Sequence, residues 1–217
     1  MLLTKLYYIS QKKLRGKPKK GGNKVKKVVD LCFFLYNSLY KYLESCYIQR
    51  DYMYLYLNNR EGSLYFVSYF LKNSILLSCH QLLDMTIVDR LEKGINRKKR
   101  FEYLYVFLST NYDIRIILKG FVSMFESLPS LVSLYASANW LEREAWDLFG
   151  VFFDNHPNLR RILTDYSFFG YPFRKDFPLT GFFEHRYDGI TKTIVIEPLE
   201  LSQEYRFFNV QMPWRKI

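Results

Sequence analysis

Two short runs rich in β-branched and aromatic residues, separated by a turn-forming stretch, constrain the fold of this chain more than any other feature. Residues 101–108 and 114–120 flank Thr110, Asn111 and Asp113, a pattern typical of a β-hairpin. Further short apolar runs, each bounded by charged or turn-forming residues, predict additional strands at residues 52–57, 75–77 and 82–88. A mostly antiparallel sheet is therefore expected.

Apolar residues at helical spacing predict helices around this sheet. Val28, Leu31 and Leu35 begin a pattern that runs on to Cys46, so an amphipathic helix is predicted over residues 28–46, and a second is predicted over residues 64–71. Such elements predict an α+β fold, a two-layer sandwich with helices on one face of the sheet, followed by a long irregular C-terminal extension.

The most informative helix is predicted over residues 129–153. At about 100° per residue its apolar positions form a stripe roughly 80° wide that faces the sheet, made of Leu134, Ala138, Leu141, Ala145, Leu148 and Phe152. Glu142, Trp146 and Phe149 lie about 90° from the middle of that stripe, so a second apolar face needs a second partner. The spacing of Arg143 and Asp147 favours an ion pair on the helix surface, with Glu144 in solvent.

Periodicity stops at Gly150, although aromatic residues remain frequent among the prolines and glycines that follow. A long irregular segment of this kind is often functional. It either docks on another protein, through aromatic residues and arginines, or folds back over its own sheet. The expected organisation is a basic arm at residues 1–27, an α+β domain at 28–153 and an extended partner-binding segment at 154–217.

The net charge of +11 is unevenly distributed. Residues 1–29 contain ten of the 32 basic residues and none of the 21 acidic residues, so the remainder carries 22 minus 21, or +1. A nearly neutral body argues against a nucleic-acid-binding protein, which needs an uninterrupted basic surface. The arm is either a transit peptide or an extended segment lying on an acidic neighbour or on anionic lipid headgroups. The apolar stretch at residues 31–35 is too short to span a membrane.

Residues that could hold a metal or a cofactor are sparse. Cys32, Cys46 and Cys79 are odd in number and form no C-x-x-C pair, which favours reduced cysteines and argues against an iron–sulfur cluster or a zinc site. No glycine-rich phosphate loop is present, and the histidines lack metal-ligand spacing. We therefore expect no catalytic residue and no cofactor in this chain.

Four motifs resemble one family closely. Residues 140–150 are Trp-Leu-Glu-Arg-Glu-Ala-Trp-Asp-Leu-Phe-Gly, followed by His-Pro at 156–157, Arg-Arg-Ile-Leu-Thr-Asp-Tyr at 160–166 and Arg-Lys-Asp-Phe-Pro-Leu-Thr-Gly at 174–181. Together they resemble the 30-kilodalton subunit, also called subunit 9, of mitochondrial NADH dehydrogenase, respiratory complex I. The resemblance covers roughly residues 75–217. Tyr171 departs from it, since the family usually has His at this position.

The resemblance implies a non-catalytic scaffold subunit in the quinone module of the peripheral arm. Flavin mononucleotide, iron–sulfur clusters and ubiquinone would belong to neighbouring subunits, and the chain would dock on the large quinone-site subunit and adjacent iron–sulfur subunits. It would lie on the matrix side of the mitochondrial inner membrane, without spanning it and without binding nucleic acid. A composition typical of A+T-rich codons suggests an organelle-encoded chain. The predicted interface consists of Glu142, Arg143, Trp146, Asp147, Phe149, His156, Arg160, Arg161, Asp165, Arg174, Asp176, Phe177 and Trp214.

Overall fold

The computed structural model describes residues 22–49, 52–58, 60, 62–91, 99–206 and 208, with side chains from residue 28 onward. The chain divides into two compact units, residues 1–175 and 176–217, which are described separately. The elements of the first unit are α1 (Gly22–Ser38), β1 (Leu43–Gln49), β2 (Tyr52–Leu57), α2 (Ser63–Asn73), β3 (Gln81–Asp89), β4 (Phe101–Ser109), β5 (Ile114–Val122), β6 (Leu128–Pro129), α3 (Ala138–Phe149) and β7 (Phe153–Asp154). The second unit contains β8 (Phe183–Asp188) and β9 (Thr193–Pro198).

The main sheet has five strands in the order β1-β2-β5-β4-β3. Only the β2–β5 pair is parallel, and the predicted hairpin is confirmed as β4 and β5, paired from Phe101↔Val122 to Ser109↔Ile114. The edges of the sheet are therefore β1 and β3.

One face of the sheet carries the hydrophobic core. Leu55 of β2, Leu118 of β5 and Tyr105 of β4 belong to the buried core, together with Leu35 of α1 and Leu71 of α2. Side chains that alternate with these point to the opposite face and lie outside the core cluster. The predicted α+β sandwich, with helices on one face of a mostly antiparallel sheet, is confirmed.

The first predicted helix differs from the structure at both ends. It begins at Gly22, inside the predicted arm of residues 1–27, and it ends at Ser38, so the prediction of helix on to Cys46 is wrong. A turn in which Leu43 N–H donates to Leu39 O leads directly into β1, which completes its backbone hydrogen bonds by pairing with β2. Pairing with a neighbouring strand overrides the helical spacing here.

The helix predicted over residues 129–153 is shorter, spanning Ala138–Phe149. The two ends of the predicted range instead pair with each other, because β6 and β7 form a short parallel ladder of Leu128↔Phe153 and Pro129↔Asp154. The strand predicted at residues 75–77 is a turn, whereas the strands at 52–57 and 82–88 and the helix at 64–71 are confirmed.

The cysteines differ from the expectation of reduced thiols. Cys32 of α1 and Cys46 of β1 form a disulfide with their Cα atoms 6.7 Å apart, while Cys79 is free and buried. The prediction that these two cysteines are reduced is wrong. The packing of α1 against β1 brings together two cysteines that are 14 residues apart in sequence.

The second unit contains a β8–β9 hairpin in which Arg186 pairs with Glu197 at 2.7 Å. The division after Lys175 differs from the predicted boundary after residue 153, because residues 154–175 pack on α3 within the first unit. No helix among the described residues is long and apolar enough to cross a lipid bilayer.

Candidate partner interface

Helix α3 is covered on two sides. Ala138, Ala145 and Leu148 are buried on the side where α3 contacts β3, and residues 150–175 cover the other side. The polar side chains of α3 that point away from the sheet are therefore buried as well.

The carboxylate of Asp147 is the anchor of this second layer. Its Oδ2 accepts hydrogen bonds from the backbone N–H groups of Ile162, Leu163 and Thr164 at 3.1, 2.7 and 2.9 Å. Its Oδ1 accepts from Arg161 Nη1 at 3.1 Å and from the Thr164 hydroxyl. Burial raises the pKa of Asp147, but the hydrogen bonds from Thr164, Leu163 and Ile162 outweigh burial and hold the pKa below its usual value. An ionised carboxylate thus fixes the following loop to α3.

Arg161 extends this anchor. Beyond its contact with Asp147, its guanidinium donates to Gly170 O at 3.1 and 3.2 Å and lies 5.3 Å from the centre of the Tyr171 ring. The residue that departs from the family pattern, Tyr171, therefore supplies an aromatic face to a cation of the same chain.

Arg143 also bonds to the loop. Its Nε donates to Arg160 O at 3.1 Å, and its guanidinium lies 5.0 Å from the Trp140 ring. The predicted surface ion pair between Arg143 and Asp147 is therefore wrong, since each of these side chains is buried and bonds to residues 160–164. Glu144, by contrast, is exposed as predicted.

Glu142 is fully buried and orders the turn that precedes α3. Its Oε1 accepts from the Leu131 N–H at 2.8 Å, and its Oε2 accepts from the Ser130 hydroxyl at 2.6 Å. Burial raises the pKa of Glu142 to about 7, and hydrogen bonds with Ser130, Leu131 and Tyr105 offset only part of the effect. We therefore expect this carboxyl group to change charge near neutral pH.

His156 lies beside Glu142 as a neutral imidazole. Its Nδ1 accepts from the Asn158 N–H at 3.1 Å, so its Nε2 carries the proton and donates to Asn139 O at 3.3 Å. Burial lowers the pKa of His156, so the 4.0 Å approach of Nε2 to Glu142 Oε2 is not an ion pair at neutral pH. With their side chains fully buried, Glu142, Asp147 and His156 influence any interface only by positioning other residues.

The C-terminal end of α3 is closed by Gly150 and Arg174. Gly150 has a φ of 73° and donates its N–H to Trp146 O at 2.9 Å, a conformation that favours glycine. Arg174 Nε donates to Phe149 O at 2.6 Å, and its guanidinium lies 4.3 Å from the Tyr171 ring centre. These contacts lie within the chain, and an ion pair of Arg174 with a partner stays a prediction.

The segment after Gly150 ends at a second buried carboxylate. Asp89, the last residue of β3, accepts from the Lys175 N–H at 3.0 Å and from Arg100 Nη2 at 2.6 Å. Burial raises the pKa of Asp89, but these hydrogen bonds lower it further than burial raises it. Sequence reasoning missed this role, for which the only signal is an acidic residue at a strand end.

Aromatic contacts complete the layer. Trp146 packs edge to face against Phe152 and Tyr171 with ring centres 5.9 Å apart in each pair, and Phe149 packs against Phe173 at 5.6 Å. The second face predicted for α3 thus finds its partner in the same chain. Residues 150–175 thus fold back on their own chain, but over α3 and not over the sheet as the second alternative had it, while docking on another protein stays a prediction.

Several large side chains of α3 and of this layer nevertheless remain in water. Trp140 is 64% exposed, Tyr166 92% and Phe169 77%, and Phe173 is also more than half exposed. We call these four residues the exposed aromatic group. Exposed aromatic side chains held on an ordered backbone are typical of protein interfaces.

The remaining predicted interface residues are spread over both units. Arg160 and Asp165 are exposed in the first unit. In the second unit Asp176 is exposed and Phe177 packs against Phe182 at 5.4 Å. Trp214 lies outside the described residues. Within the described part of the chain, no three His, Cys, Asp or Glu side chains form a group that could hold a metal ion.

This α+β domain fixes its own irregular layer with buried carboxylates and leaves aromatic side chains exposed. Domains of this kind are found as subunits of larger assemblies. Comparison with known proteins agrees. Residues 58–183 match the family described as "Respiratory-chain NADH dehydrogenase, 30 Kd subunit". The chain belongs to this family.

Two individual relatives support this assignment, and one solved structure shares the fold. Subunit 9 of the NADH-ubiquinone oxidoreductase of Acanthamoeba castellanii is 52% identical over 162 residues, which are 75% of this chain and 80% of the relative. The NADH dehydrogenase [ubiquinone] iron-sulfur protein 3 of Arabidopsis thaliana is 48% identical over 147 residues, 68% of this chain and 75% of the relative. A chain of the membrane-bound sulfane sulfur reductase, an archaeal respiratory membrane complex, has a similar fold, with a TM-score of 0.53 and 20% identity over 74% of this chain and 87% of that one.

Proposed function

We propose that this subunit is a non-catalytic scaffold in the quinone module of the peripheral arm of proton-pumping NADH:ubiquinone oxidoreductase. It docks on the large quinone-site subunit and on adjacent iron–sulfur subunits, and so supports electron transfer from NADH to ubiquinone. Flavin mononucleotide, the iron–sulfur clusters and ubiquinone are held by those neighbours. The chain lies on the matrix side of the mitochondrial inner membrane and is encoded in the organelle.

The observation that carries this proposal is the exposed aromatic group, which lies on α3 and on the layer anchored to it. Asp147 and Asp89 hold residues 161–175 at two points, so little conformational entropy is lost when this surface meets a partner. The buried charged residues are engaged within the chain, which leaves the aromatic side chains to provide binding energy.

The test compares assembly with turnover. In the double variant Tyr166→Ser and Phe169→Ser we expect normal stability of the isolated chain but less assembled complex, because exposed aromatic side chains contribute little to folding and much to binding. Tyr40→Ser, which removes a 60% exposed aromatic from the turn after α1, is the matched control. Complex is measured on native gels, and NADH:quinone turnover is measured per assembled particle.

Two results would contradict the proposal. Fully assembled complex with turnover reduced severalfold would place Tyr166 and Phe169 in the quinone reaction. Stoichiometric iron, zinc or flavin in the purified chain, by elemental analysis and absorbance, would contradict the absence of a cofactor.

The alternative of a nucleic-acid-binding protein rests on the net charge of +11. It predicts tight RNA binding that weakens steeply with salt, because each phosphate contact releases counterions. We expect the body of the chain to show no such binding.

A further inference from the structure

The face of the main sheet opposite the helices carries an ordered array of tyrosines and cations. The strand register places nine outward side chains in three rows across β1, β2 and β5, which are Ser45–Tyr56–Lys119, Tyr47–Tyr54–Ile117 and Gln49–Tyr52–Arg115. We call these nine residues the tyrosine grid. Ile117 is buried, the four tyrosines are partly exposed and Arg115 is exposed, and none of the nine belongs to the core cluster on the other side of the sheet.

The rings of the tyrosine grid are fixed by one another and by the cations. Tyr47 stacks on Tyr54 with ring centres 4.9 Å apart and an interplanar angle of 14°, and it lies 5.9 Å from Tyr56. Lys119 Nζ lies 4.8 Å from the Tyr54 ring centre and 5.6 Å from that of Tyr56. Side chains held in this way lose little rotamer freedom when a partner binds.

The polarity of the tyrosine grid is one-sided. It presents four phenolic hydroxyls and two cations, Arg115 and Lys119, and no carboxylate. The carboxylate of Glu102 on the adjoining strand is buried and already pairs with Arg90 and, at 3.8 Å, with Lys119. Burial and the contact with Tyr56 raise the pKa of Tyr47, which keeps its hydroxyl protonated. A complementary surface must therefore supply acceptors and negative charge.

We propose that the tyrosine grid is a docking surface for an acidic polypeptide segment of a partner protein. Its carboxylates and backbone carbonyls would accept hydrogen bonds from the hydroxyls of Tyr52 and Tyr54 and pair with Arg115, the exposed cation of the grid. This surface lies across the sheet from α3, and the proposal goes beyond the scaffold function without depending on which subunit meets the exposed aromatic group.

A nucleic acid fits the same surface less well. Bases bind to protein sheets by stacking on free aromatic faces. Here the ring faces of Tyr47 and Tyr54 cover each other, and Lys119 and Arg115 approach the rings of Tyr54 and Tyr52. The Tyr47 hydroxyl is engaged with Tyr56, so the hydroxyls of Tyr52 and Tyr54 and the ring edges remain for a ligand, and these suit carboxylates and carbonyls.

The test uses the purified full chain and three probes. These are a fluorescein-labelled peptide of repeated Glu-Ala-Leu units, its Lys-Ala-Leu counterpart and oligouridylate RNA. Binding is followed by fluorescence anisotropy, and the site is located from the NMR signals of ¹³C-labelled tyrosine rings. Of the three probes, we expect only the acidic peptide to bind, and its binding should shift the NMR signals of Tyr47, Tyr52 and Tyr54.

Two matched charge reversals separate the tyrosine grid from general attraction to a basic chain. Arg115→Glu and Arg206→Glu each change the net charge from +11 to +9, a difference of two, and Arg206 is exposed in the second unit. We expect Arg115→Glu to weaken binding of the acidic peptide by about fivefold or more, because it turns an attraction into a repulsion, and Arg206→Glu by less than about twofold. Tyr54→Phe, which removes only a hydroxyl, should weaken binding of the acidic peptide by about two- to tenfold. If Arg115→Glu fails to fold, Tyr54→Phe takes its place as the test of the proposal.

Three results would overturn the proposal. The acidic peptide leaves the tyrosine signals of the grid unshifted, or the two charge reversals weaken binding equally, or RNA displaces the acidic peptide and shifts the same signals. The last result would assign the face to a nucleic acid instead.

Discussion

Replacing Asp147 by asparagine tests whether one buried carboxylate holds the layer over α3. The amide is nearly isosteric but has one acceptor oxygen where the carboxylate has two, and five donors converge on this side chain. In the best orientation the amide oxygen keeps the three backbone N–H groups of residues 162–164. The NH₂ group then faces Arg161 and the Thr164 hydroxyl.

The cost follows from what each donor can do next. The Thr164 hydroxyl can rotate and accept from the amide, and Arg161 retains Gly170 O. What is lost is one charge-assisted hydrogen bond from Arg161, together with the negative charge that strengthened the other four, so we expect a loss of about 2–4 kcal/mol in the free energy of unfolding. Asp147→Ala leaves all five donors without this acceptor and should cost about 3–5 kcal/mol.

The assay is urea unfolding of the purified full chain, followed by tryptophan fluorescence and extrapolated to water. Glu144→Gln, which neutralises an exposed carboxylate on the same helix, is the matched control and should change stability by less than about 0.5 kcal/mol.

The pH dependence gives a second check. The folded pKa of Asp147 is lowered, so its contribution is fully present above the unfolded pKa of about 3.9 and is lost as pH falls through the folded pKa. The difference in the free energy of unfolding between wild type and Asp147→Asn should therefore become smaller below about pH 4. A variant within about 0.5 kcal/mol of wild type at neutral pH, or a difference that stays constant down to pH 3, would refute the anchor role.

Three further predictions concern the same region. Gly150→Ala should destabilise the chain by more than about 2 kcal/mol in urea unfolding, because φ is 73° and a Cβ would lie 2.5 Å from Arg174 Nη2 and 2.6 Å from Tyr171 ring carbons; an unchanged midpoint would contradict this packing. Arg174→Ala should cost about 1–2 kcal/mol by the same measurement, since Phe149 O loses its charged donor, and equal stability would point to a role outside the chain. Glu142→Gln should remove a pH dependence of the melting temperature. In wild type the stabilising effect of the raised pKa of Glu142 is fully present below the unfolded pKa of about 4.3 and is lost as pH rises through about 7. If the melting temperatures of wild type and variant change with pH in the same way between pH 4 and 8, that result would argue against a buried, titrating carboxyl group.

Much of the sheet could be predicted from sequence because its signals are local. The β4–β5 hairpin has matched apolar runs around a short turn, and α2 and β2 also lie within a few residues of where periodicity predicted them. The continuation of the first helix on to Cys46 failed because helical and strand spacing coincide over a short window, and only the pairing of β1 with β2 decides between them.

The motifs at residues 140–181 were enough to identify the family, because they combine rare residues at fixed spacing over a long stretch. The same residues were misread in their physical roles. From periodicity, Arg143 and Asp147 occupy the side of α3 opposite the apolar stripe and therefore look exposed.

The amino-acid sequence by itself determined strands β2 to β5, the approximate positions of the helices and the family of this protein, since those depend on neighbours along the chain. Only the tertiary structure decided that Asp147, Glu142 and His156 are buried and that the tyrosine grid lies on the face of the sheet opposite the core cluster. The physical reason is that periodicity reports which side of an element is apolar but not what covers its other side. On α3 that cover is an irregular segment held by hydrogen bonds to one carboxylate.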